Sequence, residues 1–336
     1  MPSKVSLPTL RDPRLAAMPS DARPLVVSPD DLTEAIEALR RGGLVGFPTE
    51  TVYGLGADAL DPEAVRRIFD AKGRPADNPL IVHIADIDMI STVARSVSPL
   101  AADLAKRFWP GPLTLVLDAQ PSVPPVTTGG HTTVGVRIPD HPVALALLAG
   151  AGLPVAAPSA NRSGRPSPTT AAHVIADLGA RVDVVVDGGP AGVGLESTVV
   201  DARGTVPIVL REGAVTREEI AAAAASGEAA SPGTRYRHYA PACEIEIVDP
   251  AAVDARARDL AGRGTHVGVV APSGLPLSRD VDVLARYDDE DDLARQLYAT
   301  LRAGESAGCD VIVVASVPDR GMGRAVMDRL RRAAAG

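Results

Sequence analysis

The chain has 336 residues, and its 34 basic and 42 acidic side chains give a formal net charge of −8 at pH 7. A chain longer than roughly 250 to 300 residues usually divides into two hydrophobic cores, so we expect two domains. Apolar residues make up 46% and charged residues 23%, which is typical of a globular protein and argues against a disordered or fibrous chain. The acidic balance also argues against a large nucleic-acid-binding surface, because such binding depends on neutralising phosphates with Lys and Arg.

No segment of the sequence reaches the roughly 18 uninterrupted apolar residues that cross a bilayer. The first 25 residues carry charges and prolines where a signal peptide needs an apolar run. We therefore predict a cytoplasmic protein with no membrane partner. Cys243 and Cys309 are isolated, with no CxxC pair and no His/Cys cluster, so neither a disulfide framework nor a protein-held metal is expected.

The first segment of the chain, residues 1–24, has no hydrophobic period and is predicted to be an N-terminal tail. An amphipathic helix follows, with Ser28 as its N-cap, Pro29 at its first position and Gly42 as its stop. Leu44 to Phe47 reads as a short strand.

Pro48 to Gly56 is polar and punctuated by glycine, which predicts a loop. A second helix is predicted from Asp61-Pro62 to Gly73. Further strands are predicted at Leu80–Ile84, Leu113–Leu117, Val134–Ile138, Val155–Ala157, Val182–Val186, Thr198–Asp201 and Pro207–Leu210. Further helices are predicted at Val143–Leu148, Thr170–Leu178 and Arg217–Ala225. Strands and helices interleave, so we expect an α/β domain with a twisted, open, mixed sheet.

A stretch rich in Ala, Ser and Gly separates this domain from the rest of the chain. We place the first domain at residues 25–222, a linker at 223–241 and a second domain at 242–336. The second domain alternates three predicted strands with helices and is expected to be a smaller, Rossmann-like α/β unit. Its predicted strands are Glu244–Val248, Val267–Val270 and Val311–Ala315, and its predicted helices lie near Val253–Leu260, Asp291–Arg302 and Arg324–Ala334.

The candidate functional residues lie at strand and helix ends, where α/β sheets usually bind ligands. Lys72 and Arg74 flank a glycine, although a lysine there is equally typical of a helix C-terminus. His83 interrupts an apolar strand and is either a satisfied core histidine or a ligand-binding group. Arg137 interrupts another apolar strand, and because arginine is seldom buried unpaired, it requires an anion.

Several ordered motifs identify a family. They are Phe47-Pro48-Thr49-Glu50-Thr51-Val52-Tyr53-Gly54-Leu55-Gly56, Lys72-Gly73-Arg74-Pro75, Asn78-Pro79-Leu80-Ile81-Val82-His83, Phe108-Trp109-Pro110-Gly111-Pro112-Leu113-Thr114, Pro158-Ser159-Ala160-Asn161-Arg162-Ser163-Gly164 and Glu196-Ser197-Thr198-Val199-Val200-Asp201. Together they closely resemble the L-threonylcarbamoyladenylate synthase family with its YrdC-like catalytic domain, over about Leu25 to Ile220. The segment from Ser231 to Pro241 is similar to the linker of the larger, two-domain form, and the remainder resembles that form's accessory domain.

This resemblance implies a reaction in which L-threonine, bicarbonate or CO2, and ATP with Mg²⁺ give threonylcarbamoyl-AMP and pyrophosphate. It implies that threonine is bound by Thr49, His83, Arg137, Ala157 and Ser197. It also implies that ATP is bound by Arg74, Asn78, Thr133, Ser159, Ser167, Arg211 and Tyr236. Lys72 and Arg74 are the expected catalytic cations, because phosphoryl chemistry depends on positioning and on stabilising negative charge.

The family's product is used by other proteins, tRNA threonylcarbamoyl transferases, to modify an adenosine next to the anticodon, so those proteins are expected partners. Tyr236 and Tyr239, beside two arginines, indicate that the linker closes as a lid over ATP. The alternative is an RNA-binding module of the same fold without adenylate chemistry. The net charge of −8 disfavours it and predicts weak or no direct tRNA binding. A carbamoyl-transfer module is also possible, but the cysteine clusters that usually accompany it are absent.

Overall fold

The computed structural model describes residues 24–223, 241–279 and 281–335. Within these residues the strands form two sheets, one of ten strands and one of four. Tyr236 and Tyr239, on which the predicted lid depends, lie outside the described residues. The predicted domain boundaries at 25–222 and 242–336 stay predictions, although each sheet lies within one of these ranges.

The larger sheet has the strand order β1-β8-β2-β3-β7-β4-β6-β5-β9-β10. Its strands are β1 Leu25–Val27, β2 Val45–Phe47, β3 Gly54–Asp58, β4 Ile81–His83, β5 Leu113–Asp118, β6 Thr133–Arg137, β7 Val155–Ala156, β8 Val184–Val186, β9 Thr198–Asp201 and β10 Ile208–Arg211. Parallel pairs such as β4 with β6 lie beside antiparallel pairs such as β5 with β6. The sheet is therefore mixed, which confirms the predicted fold class.

The helices around this sheet are α1 Thr33–Arg40, α2 Pro62–Lys72, α3 Pro99–Phe108, α4 Pro125–Thr128, α5 Pro142–Ala151, α6 Ala171–Leu178 and α7 Arg217–Ala223. Helix α2 follows its sequence signals closely. The Asp61 carboxylate accepts hydrogen bonds from the N–H groups of Glu63 and Ala64, and Gly73 ends the helix in the left-handed conformation at φ 60°.

The predicted start of the first helix is wrong. Helix α1 begins at Thr33, with Leu32 rather than Ser28 as its N-cap. The Ser28 carbonyl accepts a hydrogen bond from Asp31 N–H at 3.2 Å, which closes a turn before the helix. The Asp31 carboxylate then accepts the Thr33 N–H at 3.1 Å, so a later residue provides the side-chain acceptor.

The predicted loop from Pro48 to Gly56 is also partly wrong, because Gly54–Asp58 forms strand β3 between β2 and β7. Glycine is typical of turns, but here it is required for packing. A Cβ atom on Gly56 would lie 2.8 Å from the Phe47 ring and 2.8 Å from Val155 Cγ1, closer than real Cβ atoms approach.

Strand register brings several motifs to one edge of the larger sheet. In the parallel pair β4 and β6, His83 lies opposite Arg137 at the carboxyl ends of both strands. Strand β5 is antiparallel to β6, so its beginning near Thr114 lies beside the end of β6. Strand β9 is parallel to β5, which places Ser197, just before β9, at the same edge. Residues far apart in sequence thereby converge.

The smaller sheet has the order β11-β14-β12-β13 and is parallel throughout. Its strands are β11 Glu244–Val248, β12 Val267–Pro272, β13 Asp282–Tyr287 and β14 Val311–Ala315, and its helices are α8 Val253–Gly262, α9 Glu290–Ala307 and α10 Gly321–Ala334. Strand β13 was not predicted. Its first two residues, Asp282 and Val283, are exposed, which weakens the apolar pattern at this sheet edge.

Each sheet supports its own buried clusters, but one cluster joins the two parts of the chain. Val52, in the loop between β2 and β3, and Leu195, in the loop before β9, pack into the cluster that includes Leu297 and Tyr298 of the second part. Leu195 and Tyr298 are both completely buried.

Across the described residues, no helix is both long and apolar enough to span a membrane.

Candidate active site

A cavity of about 480 Å³ opens where β4 and β6 end and β5 and β9 begin. Eleven of the thirteen residues predicted to bind substrates or to act in catalysis line it. They are Thr49, Lys72, Arg74, Asn78, His83, Thr133, Arg137, Ala157, Ser159, Ser197 and Arg211. The two others are Ser167, which is not among the lining residues, and Tyr236, which lies outside the described residues.

The charge of this cavity is opposite to that of the chain. Seven Lys or Arg side chains line it, against the two carboxylates of Glu196 and Asp201, whereas the whole chain has a net charge of −8. Clefts lined by one sign of charge concentrate ligands of the opposite sign. The cavity is therefore suited to an anionic ligand.

The Arg137 guanidinium is almost fully buried and is held in place by backbone and side-chain oxygens. Its Nε donates to Gly111 O at 3.1 Å, and its Nη1 donates to Thr51 Oγ1 at 3.0 Å. The predicted anionic partner exists within the protein, because Glu50 Oε1 lies 2.6 Å from Arg137 Nη2. The ion pair with Glu50 occupies one side of Nη2, which makes no other hydrogen bond with the described residues. Its N–H groups can donate to a bound carboxylate.

His83 lies beside Arg137 and is buried with its Nδ1 lacking a hydrogen-bond partner among the described residues. Burial, with a smaller contribution from the Arg137 charge, lowers the pKa of His83 to about 3. The imidazole is therefore neutral at physiological pH and able to bond a neutral hydroxyl. The unpartnered Nδ1 favours the ligand-binding interpretation of His83 over that of a satisfied core histidine.

Three hydroxyl groups lie near these side chains. Ser197 Oγ and Thr114 Oγ1 are 2.8 Å apart, and Arg211 Nη2 donates to Ser197 Oγ at 3.0 Å. Thr49 Oγ1 donates to Val52 O at 2.6 Å, which holds the turn before β3. This side of the cavity combines a buried cation, a neutral imidazole and fixed hydroxyls.

Lys72 is the last residue of α2, but its ammonium group does not bond the carbonyls of its own helix. Its Nζ donates to the carbonyl oxygens of Ser159 and Asn161, in the loop after β7. Burial first, and then the Arg74 charge, lower the pKa of Lys72, while Asp177 and Glu196 act in the opposite direction. Lys72 therefore joins the end of α2 to the Ser159 loop.

The remaining predicted ATP contacts lie on loops and at strand ends around the cavity. Arg74 Nη2 donates to Pro79 O at 3.2 Å, which holds the loop that carries Asn78. Ser159 Oγ donates to Asn161 Oδ1 at 2.6 Å. Within the described residues, no group of three His, Cys, Asp or Glu side chains could hold a metal ion.

Ser167 is a predicted ATP contact, whereas several other residues at the site were not assigned from the sequence. Ser167 Oγ donates to Glu196 Oε1 at 2.5 Å, which places Ser167 behind the cavity wall that Glu196 forms. Thr51, Thr114 and Glu196 lie in the recognised motifs without an assigned role. Arg332 comes from α10 of the second part of the chain and lines the same cavity, and no local sequence signal indicated it.

Both parts of the chain match models of known protein families. A family model described as "Telomere recombination" matches residues 37–213, and one described as "Threonylcarbamoyl-AMP synthase, C-terminal domain" matches residues 215–335. A threonylcarbamoyl-AMP synthase of Pyrococcus abyssi is 46% identical over 314 residues, covering 88% of this chain and 91% of that protein. A threonylcarbamoyl-AMP synthase of Bacillus subtilis is 43% identical over 322 residues, covering 91% of this chain and 93% of that protein.

A crystal structure of P. abyssi Sua5 complexed with L-threonine matches with a TM-score of 0.86 at 42% identity, covering 93% of this chain and 97% of that chain. The likeness thus extends over both sheets and agrees with the motifs recognised in the sequence. The chain belongs to the threonylcarbamoyl-AMP synthase family in its two-domain form.

Proposed function

We propose that this protein is an L-threonylcarbamoyladenylate synthase, which converts L-threonine, bicarbonate or CO2, and ATP into threonylcarbamoyl-AMP and pyrophosphate. One observation carries the proposal. A single cavity combines buried groups suited to a small hydroxy amino acid with a strong excess of cationic side chains suited to a triphosphate. The family membership of the chain supports the same reaction.

The threonine carboxylate would be bound by Arg137, whose Nη2 retains donor capacity. Glu50 and Thr51 hold the guanidinium, so it meets the ligand in a fixed orientation. The threonine hydroxyl would be bound by neutral His83 together with Ser197 and Thr49. Ala157 is buried and lines the cavity, where its methyl group would limit the space beside the ligand.

The chemistry then needs no covalent protein intermediate. The threonine amine forms a C–N bond to CO2 and loses a proton to solvent, which gives a carbamate. A carbamate oxygen attacks the α-phosphorus of ATP, and the bond to the β-phosphate oxygen breaks, so pyrophosphate leaves with the electron pair. Such transfer is accelerated mainly by positioning and by cations that stabilise the developing negative charge.

Lys72 and Arg74 would supply that charge. Lys72 would act as a fixed cation, since the two carbonyl oxygens that hold its ammonium stabilise the charged form against the effect of burial. Asn78, Thr133, Ser159 and Arg211 would bind the nucleotide. Mg²⁺ would enter with ATP, held chiefly by the phosphates, and would neutralise part of their charge.

Ser167 was predicted to contact ATP, and its buried hydroxyl would reach the nucleotide only through Glu196. The lid role of Tyr236 stays a prediction. So do the location in the cytoplasm, the transfer of the product to tRNA by partner proteins, and the absence of strong direct tRNA binding. The RNA-binding alternative is not favoured, because the cationic side chains converge in a concave cavity suited to a small ligand.

The test is a reconstituted reaction with the full chain, ATP, Mg²⁺, bicarbonate and labelled threonine. We expect an acid-labile adenylate and an equal amount of pyrophosphate, and neither product when threonine or bicarbonate is omitted. A folded protein that releases no pyrophosphate, but binds tRNA with a steep salt dependence, would favour the RNA-binding alternative.

A further inference from the structure

Glu196 is a buried carboxylate whose partners come from both parts of the chain. It is 7% exposed and lines the cavity next to Ser197. Its oxygens accept hydrogen bonds from Ser167, from Tyr298 OH at 3.0 and 2.9 Å, and from Arg329 Nε at 3.1 Å. Tyr298 lies on α9 and Arg329 on α10, in the second part of the chain.

A buried carboxylate is unfavourable unless hydrogen bonds and opposite charges compensate for the water that it loses. Burial raises the pKa of the Glu196 carboxyl group, but the charges of Arg329 and Arg211 and the hydrogen bond from Ser167 together outweigh burial and lower it. The Arg329 side chain is 0% exposed. A buried charge that loses a partner is strongly unfavourable, so the Glu196 carboxylate depends on Arg329, whose guanidinium also pairs with Asp328 at 2.9 Å.

The residues just before Glu196 are docked on the same helices. Leu195 packs into the core of the second part of the chain. Gly194 has φ +81°, and a Cβ atom there would lie 2.5 Å from Ala294 O and 2.7 Å from Arg295 Cα on α9. Only glycine allows this close approach. Three consecutive residues, 194–196, are therefore fixed against the second part of the chain.

A second buried contact holds the segment behind the cavity wall that carries Ser167. Arg302, one turn after Tyr298 on α9, donates to both oxygens of Asp177 at 3.1 and 2.8 Å. The same guanidinium donates to Pro166 O, next to Ser167. The segments that carry Ser167 and Ser197 thus both rest on α9.

We propose that Glu196 is a positioning residue for threonine binding, held by Tyr298 and Arg329 so that the second domain sets the position of Ser197. The inference rests on the proposed function, in which Ser197 contacts threonine. Glu196 acts through its backbone link to Ser197 and its hydrogen bond to Ser167, not by touching the substrate. The second domain is then part of the threonine site rather than an appended unit.

The test is calorimetric titration of the full chain with L-threonine alone. Tyr298→Phe removes one hydroxyl and keeps the ring, and Glu196→Gln removes the charge and keeps the size. The matched control is Glu218→Gln, which removes an exposed ion pair with Arg324 of α10 at 3.1 Å and leaves the cavity untouched. The fitted stoichiometry reports the folded fraction, whereas the Kd reports the geometry of the site.

We expect Tyr298→Phe to raise the threonine Kd by about fivefold to tenfold and Glu196→Gln to raise it by about 30-fold, with Glu218→Gln within about twofold of wild type. Values of Kd within twofold of wild type for both Tyr298→Phe and Glu196→Gln would overturn the inference, even if their thermal stability falls. Because the titration contains no ATP or bicarbonate, its outcome is separate from that of the adenylate assay. A wild-type protein that binds threonine but makes no adenylate would contradict only the proposed function.

Discussion

The proposed threonine side and the proposed nucleotide side of the cavity are built from different kinds of structure. His83 and Arg137 lie opposite each other on paired strands and are buried. Arg74 and Asn78 belong to the loop between α2 and β4, in which most residues are exposed. Groups fixed on neighbouring strands keep their mutual distances, whereas loop groups can adjust to a ligand. We infer that substrate selectivity resides on the strand side.

The largest expected effect concerns valine, which has the shape of threonine without its hydroxyl. A site built to bond a hydroxyl rejects the analogue that lacks it by roughly 10⁴-fold. We expect kcat/KM for pyrophosphate release to fall by about that factor with L-valine, measured under saturating ATP and bicarbonate. A difference below about tenfold would show that the strand side recognises only shape.

The next effect concerns Arg137. Removing one partner of a buried charged pair costs about 2 to 5 kcal/mol, so Arg137→Ala should weaken threonine binding by roughly 30-fold or more. ATP binding should change little, since Thr133, the proposed ATP-binding residue on the same strand, lies at the opposite end of β6. Arg66→Ala, which removes an exposed arginine on α2, serves as the control and should leave both affinities unchanged. Unchanged threonine affinity in a folded Arg137→Ala protein would contradict the assignment.

Lys72 tests the nucleotide side. Lys72→Met should lower kcat for adenylate formation by about tenfold or more and leave the threonine Kd within about twofold. Lys106 is its matched control, because it lies in the last turn of α3 but is exposed, so Lys106→Met should leave kcat unchanged. If both variants only lose thermal stability, the helix-terminus interpretation of Lys72 is correct.

The smallest expected effect is that of pH on threonine binding. Because the pKa of His83 is about 3 in the folded protein, the threonine Kd should stay flat between about pH 6 and pH 8. The free energy of unfolding, by contrast, should depend on pH. Between pH 6.5 and about 3 the unfolded chain gains a proton on His83 that the folded chain does not, so the free energy of unfolding falls as the pH falls.

Denaturant titrations at several pH values measure this slope. His83→Gln removes one titrating group and should make the slope shallower between pH 6.5 and about 3. A threonine Kd that rises as the pH falls, with a midpoint near pH 6.5, would instead show that His83 is exposed to solvent and becomes charged.

The sequence predicted most of the fold because its signals are local. Helix α2 has its cap, proline and glycine in sequence, and β9 is bounded as predicted at Thr198–Asp201. Strand β3 was missed because Gly56 is required by contacts with Phe47 and Val155, which no local pattern reveals. Similarly, the motifs indicated Arg137 and Ser197, but not that Glu50 is the resident partner of Arg137.

The sequence also did not predict the contacts between the two parts of the chain, because they join residues that are far apart in sequence. Glu196 and Arg329 are separated by 133 positions, and only the folded chain brings them together. Arg332 lines the cavity from the last helix, where an arginine otherwise reads as an ordinary cation near a helix C-terminus. The residues of one domain were readable from motifs, whereas those supplied by the other domain were not.

The most direct measurement follows the carbon of bicarbonate into the product. The purified chain is incubated with ATP, Mg²⁺, L-threonine and ¹³C-bicarbonate, and the adenylate is analysed by mass spectrometry. We predict one adenylate that carries the ¹³C label and threonine, formed in equal amount with pyrophosphate. An adenylate of threonine without the label would mean that the amino-acid carboxylate attacks ATP, and it would contradict the binding of that carboxylate by Arg137.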